Sequence, residues 1–189
     1  MKESNFYKIM RPIVKLFTIN ILKAKTIGKE NIPKEGRIIF AGTHTSIMDP
    51  LLLMTNTKRE IHFLAKIELF RGWRGIIFKH LGLIPVDRQN GSPNAIPTAN
   101  EILNDNRIIG IFPEGKVNKN RGTLLPLKRG AVTMAYDTNT LIVPFAIKGR
   151  YKMFSKDLKI IYGKPIKVKT NNVKKENEIL SKEILKLMK

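Results

Sequence analysis

Short apolar runs rich in β-branched and aromatic residues recur along this chain: Arg37–Ala41, Ile61–Ala65, Leu83–Val86, Ile108–Phe112, Leu141–Ile147 and Leu158–Tyr162. Each is near-continuously apolar and about the length of a strand buried on both faces. Helical patterns lie between and around them, at about 50–56, 68–79, 93–104, 128–137 and 174–188. Such alternation predicts an α/β domain with a mixed, largely parallel central sheet flanked by helices. At 189 residues, one core-forming domain is the default.

The polar residues that follow these runs are the second signal. Thr43 and His44 follow the run ending near Gly42, and Lys66 follows Ala65. Asp87 and Arg88 follow Val86, and Glu114 and Gly115 follow Phe112 and Pro113. If the strands share one sheet and one direction, a base, two cations and a carboxylate converge on one crevice at their carboxyl ends. Histidine titrates near pH 6.5, which suits general-base work, and a nearby carboxylate can orient it. Asp49 lies five positions after His44, about 140° away on an ideal helix. The two side chains therefore meet only if His44 sits on the turn entering a helix whose first turn carries Asp49. Pro50 suits such a start. Plainer readings stay open for every one of these residues. Asp49 alone can cap a helix, Phe112–Gly115 can be an ordinary turn, Arg88 can pair with Asp87, and Lys66 with Glu68 can open an exposed helix.

Composition excludes several chemistries. There is no cysteine, so disulfides, thiolate catalysis and cysteine metal sites are ruled out, and three histidines leave little for a metal centre. The first residues do not lead into a signal peptide, because Lys8, Arg11 and Lys15 break the apolar run. No stretch reaches the roughly 20 apolar residues of a spanning helix. A net charge of +20 calls for a polyanion, either nucleic acid or an anionic membrane surface, unless it only reflects a lysine-rich surface. No nucleic-acid-binding motif accompanies the charge.

Residues 6–22 read as an amphipathic helix, with Phe6, Ile9, Met10, Ile13, Phe17 and Ile21 at helical spacing, Val14 and Leu16 broadening the apolar face, and Lys8, Arg11 and Lys15 on another side. It can lie at a lipid headgroup boundary or pack on the sheet. Phe70, Trp73 and Phe78, interspersed with Arg71, Arg74 and Lys79, form a second such patch. The expected division is a membrane-associating helix over 1–25 and a catalytic domain over 26–189.

Taken together, His44-x-x-x-x-Asp49, Gly82–Arg88, Phe112–Gly115 and Val143-Pro144 resemble the four ordered blocks of the glycerolipid acyltransferases, the 1-acylglycerol-3-phosphate acyltransferases above all. Gly28–Pro33, Ala65–Phe70, Pro126–Gly130 and Gly163–Ile166 are similar to stretches that flank those blocks. The resemblance implies that His44, assisted by Asp49, deprotonates the 2-hydroxyl of lysophosphatidic acid, which then attacks an acyl thioester; glycerol 3-phosphate or another lysophospholipid is the alternative acceptor. The thioester, on coenzyme A or acyl carrier protein, is a co-substrate, and no metal or other cofactor is implied. Arg88 corresponds to a phosphate-binding arginine, Glu114 and Gly115 to acceptor-site residues, and Lys66 is a candidate second phosphate cation. Here Lys116-Val117-Asn118 stand where the family often has Thr-Arg-Ser, so Lys116 or Lys119 is the candidate for the missing positive charge. A peripheral protein on the cytoplasmic face of the cell membrane is the implied setting, and no nucleic acid is expected as a partner.

Overall fold

The computed structural model describes residues 4–72, 75–76, 80–87 and 92–189. Helix α1 (Asn5–Leu16) runs into a wider π turn (Phe17–Ile21) and is followed by β1 (Lys25–Ile27), β2 (Ile38–Gly42), α2 (Asp49–Met54), β3 (Ile61–Lys66) and β4 (Ile84–Val86). Then come α3 (Ala95–Asn104), β5 (Ile108–Ile111), α4 (Gly130–Asp137), β6 (Leu141–Lys148), β7 (Lys159–Tyr162), β8 (Ile166–Lys167) and α5 (Val173–Met188). The strands form one sheet in the order β1-β7-β6-β2-β5-β3-β4, with β8 paired to β6. β6, β2, β5, β3 and β4 are all parallel, while β7 and β8 run antiparallel to β6. The sheet is thus mixed and largely parallel, as the alternating pattern predicts.

Both faces of the sheet are covered, which explains the unbroken apolar runs. In β2, Ile38 and Phe40 join a cluster with Leu52, Leu53, Phe63, Phe145 and Tyr162 on one face. Ile39 and Ala41 point to the other, against Ala99 and Leu103 of α3, Met134 of α4 and Leu180 and Ile184 of α5. Two short strands, β1 and β8, are absent from the sequence reading. With three and two residues they are too brief for a periodicity to register, and pairing with β7 and β6 creates them. Of the helix expected at 68–79, the structure has a 3₁₀ turn at Ile67–Phe70 and helical backbone at 75–76, and the remainder lies largely outside the described residues.

Helix α1 buries only part of its broad apolar surface. Ser4 caps it, and Tyr7 and Val14 pack with Leu51, Met54 and Leu81. Of the residues expected on the apolar face, Ile9, Ile13 and Leu16 remain exposed, joined by Ile19. The helix therefore packs on the body and still carries a solvent-facing apolar stripe. No helix among the described residues is long and apolar enough to cross a membrane.

Within β3, His62 is buried between Glu60 and Arg107. Arg107 Nη1 lies 3.2 Å from His62 Nε2 and can only donate, so Nδ1–H donates to the Gly82 carbonyl at 2.9 Å. Burial holds the His62 ring below its ordinary value. In the unfolded chain the same ring accepts a proton first as pH falls, so its contribution is complete above about pH 6.5 and is lost below that. Urea unfolding at pH 7.5 and 5.5 should show a drop in stability that is smaller in His62→Gln, by at most about 1.4 kcal/mol per pH unit. Equal slopes in both proteins would remove His62 from the pH dependence.

Candidate active site

β2 ends at Gly42, and the chain turns at Thr43, whose hydroxyl accepts the Ile147 amide of neighbouring β6 at 2.9 Å. That bond fixes the direction in which the next residue leaves the sheet. His44 follows, and α2 begins at Asp49 with proline at its start, the arrangement the five-position spacing requires. His44 Nδ1 lies 2.9 Å from Asp49 Oδ2. Asp49 has no exposed surface, while the His44 side chain is 14% exposed.

Asp49 is an acceptor for a ring of donors. The amides of Thr45 and Ser46 donate to Oδ2 at 2.6 and 2.9 Å, and the Tyr151 hydroxyl donates to Oδ1 at 2.7 Å. An ionised carboxylate, with four lone-pair directions, suits such a set. It also decides the histidine tautomer: Nδ1–H donates to Asp49, which leaves the lone pair on Nε2. Tyr151 belongs to the segment after β6 and has no counterpart in the sequence reading. Burial, together with the Asp49 charge and hydrogen bond, holds its phenol far above the ordinary tyrosine value, so it stays a donor.

The segment after β5 holds His44 from its other sides. Glu114 Oε1 accepts the His44 amide at 2.8 Å, and the Asn118 amide donates to the His44 carbonyl at 2.7 Å. Glu114 Oε2 accepts Asn118 Nδ2 at 2.9 Å and the Leu125 amide at 3.0 Å. Phe112 stacks under the imidazole, ring centres 4.1 Å apart. Glu114 is buried, with both carboxylate oxygens engaged by the protein, so it meets the crevice through the backbone of His44. Asn118 and Phe112 are further residues whose contribution was illegible in sequence, because each acts through a contact with another strand's loop.

The candidate cations are spread along the same edge. Lys66 closes β3, two strands from β2, and its ammonium is 2.8 Å from Glu68 on the surface. Gly115 has φ of +74°, and a Cβ there would lie 2.6 Å from Lys128 Cε. The Lys128 side chain thereby runs along the Gly115 backbone, a placement its sequence position did not announce. Lys116 is exposed. Arg88 lies outside the described residues, as do Trp73, Arg74, Phe78 and Lys79 of the second aromatic and basic patch. No cluster of three or more histidine or carboxylate side chains among the described residues could hold a metal ion. An open cavity of about 450 Å³ lies away from His44, against α5, lined by Leu127, Asn177 and neighbouring lysines.

A base–carboxylate pair at the carboxyl edge of a parallel sheet can serve many reactions, and relatives decide which family uses this one. The family model for the acyltransferases matches residues 23–148, spanning β1 through β6. This chain belongs to the acyltransferase family. Among similar sequences, 1-acyl-sn-glycerol-3-phosphate acyltransferase of Bacillus subtilis is 36% identical over 148 residues, covering 75% of this chain and 73% of that one. The Borreliella burgdorferi enzyme of the same name is 33% identical over 140 residues, covering 72% of this chain and 56% of the relative. Among solved structures, the 1-acyl-sn-glycerophosphate (LPA) acyltransferase PlsC from Thermotoga maritima superposes with a TM-score of 0.76 over 96% of this chain and 79% of its own. At 20% identity that likeness speaks for the fold alone.

Proposed function

We propose that this acyltransferase moves a fatty acyl group from a thioester to the sn-2 hydroxyl of lysophosphatidic acid, making phosphatidic acid. The observation that carries the reading is the His44–Asp49 pair, 2.9 Å apart, with Nε2 as the base at an open edge of the sheet. The names of the relatives support the choice of acceptor. His44 Nε2 takes the proton from the acceptor hydroxyl as the oxygen attacks the thioester carbonyl. The imidazolium, steadied by Asp49, then returns the proton to the departing thiolate, so the carrier leaves as a free thiol. The substrate supplies the nucleophile that a serine supplies in a hydrolase. Arg88, Lys66 and Lys116 are assigned to the acceptor phosphate, which carries nearly two charges near neutral pH. Gly115 is assigned to the acceptor site, and Glu114 to holding His44 toward it. The exposed stripe of α1, with Lys8 and Lys15 on its flank, is assigned to an anionic membrane surface. On this reading residues 1–25 act as the membrane-associating helix and 26–189 as the catalytic domain.

The test is a side-by-side assay of purified protein. Lysophosphatidate and glycerol 3-phosphate are offered as acceptors, with acyl-coenzyme A and acyl carrier protein thioesters as donors. Phosphatidate should form with at least one donor, and Arg88→Ala should lower kcat/KM more for lysophosphatidate than for a lysophospholipid without a terminal phosphate. Acylation of glycerol 3-phosphate alone would replace the acceptor, and equal losses would remove Arg88 from the phosphate site.

A further inference from the structure

The loop between β6 and β7 is unusual in what it shows to water. Met153 is 59% exposed and Phe154 is 66% exposed, both among the more exposed large apolar residues described. Phe154 also has φ of +57°, a region that a bulky aromatic residue rarely enters. The loop is not loose. Its neck closes where Gly149 lies against the Asp157 carbonyl, and Arg121 donates to the Gly149 carbonyl. Tyr151 ties it to Asp49, and the Phe154 amide donates to the Ile21 carbonyl at 2.6 Å, joining it to the end of the π turn. A pinned backbone in a disfavoured conformation therefore holds an aromatic ring out into solvent.

The surroundings say what covers it. Arg150, Lys152 and Lys156 are exposed in the same loop, against one acidic residue, Asp157. Ile19 is half exposed just before Ile21, and Ile47, in the loop between His44 and Asp49, is 78% exposed. Exposed apolar side chains in one loop with three exposed cations, on a chain of net charge +20, match the anionic headgroup boundary of a bilayer. We propose that residues 149–157 form an interfacial wedge in which Met153 and Phe154 enter an anionic bilayer beside Ile19. The wedge rests on the reading of the acceptor as a membrane lipid. Because Tyr151 joins this loop to Asp49, the lipid surface is then set beside the base that uses it.

The experiment uses the full chain with vesicles of equal parts phosphatidylglycerol and phosphatidylcholine. In Phe154→Trp, the added tryptophan should shift to the blue and be quenched by lipids brominated in their acyl chains, beyond the signal of the parent protein. Met153→Ser with Phe154→Ser should weaken partitioning on the order of tenfold. Turnover of a hexanoyl lysophosphatidate dissolved as monomer should be unchanged by the same pair. An added tryptophan with water-like, unquenched emission, or unchanged partitioning of the double variant, would overturn the wedge. Failure of the parent to acylate either acceptor would instead strike the acyltransfer reading, and the vesicle measurements would stand apart from it.

Discussion

His44→Ala is expected to lower kcat/KM for acyl transfer by about 10³-fold or more, because it deletes the proposed general base. The fold should survive. The imidazole is partly open to solvent, and Asp49 keeps its bonds from the Thr45 and Ser46 amides and from Tyr151. The glutamate and asparagine contacts to residue 44 use its backbone and are retained by alanine. A steady-state assay with lysophosphatidate, alongside a thermal melt, separates chemistry from folding. Turnover within a few-fold of the parent would take His44 out of the mechanism.

Asp49→Asn should cost about 10²–10⁴-fold in kcat, and it acts by a different route. The carboxylate accepts from the Thr45 and Ser46 amides, the Tyr151 hydroxyl and His44 Nδ1. An asparagine has one oxygen to offer these donors, and its amide nitrogen must face at least one of them. His44 Nδ1 and the Thr45 and Ser46 amides share Oδ2, so the asparagine oxygen stays there and its Nδ2 turns to the Tyr151 hydroxyl, which can accept but loses its own acceptor. The imidazole keeps its tautomer and loses the negative charge that steadies the imidazolium. A buried donor left without a partner adds about 1–3 kcal/mol of destabilisation. The variant should thus lose activity and melt lower than the parent, whereas His44→Ala loses activity alone. An Asp49→Asn protein with parental activity would show that the carboxylate charge plays no part in turnover.

The largely parallel sheet was legible because strands covered on both faces must be apolar throughout, and Ile38–Ala41 and Ile142–Ile147 show that pattern plainly. The polar residues at strand ends were equally legible as candidates, since the carboxyl edge is where loops deliver side chains. Less legible was how each candidate is used. Glu114 reads in sequence as a group open to substrate, yet its oxygens are engaged by His44, Asn118 and Leu125. The α1 pattern correctly marked an amphipathic helix, but periodicity does not say which of two apolar faces a neighbour covers. Tyr7 and Val14 are covered, and Ile9, Ile13 and Leu16 are not.

What the linear chain determined is local and periodic: where apolar runs begin and end, that His44 precedes a helix entered at Asp49, and that these residues offer no thiol. What tertiary structure alone decided is which distant groups share hydrogen bonds. Tyr151 lies 102 positions from Asp49 and Glu114 lies 70 from His44, and no pattern over adjacent residues encodes such pairs. They arise because β2, β5 and β6 lie side by side in parallel, so the segments leaving their carboxyl ends compete for the same few ångströms. There, buried donors and acceptors must find one another.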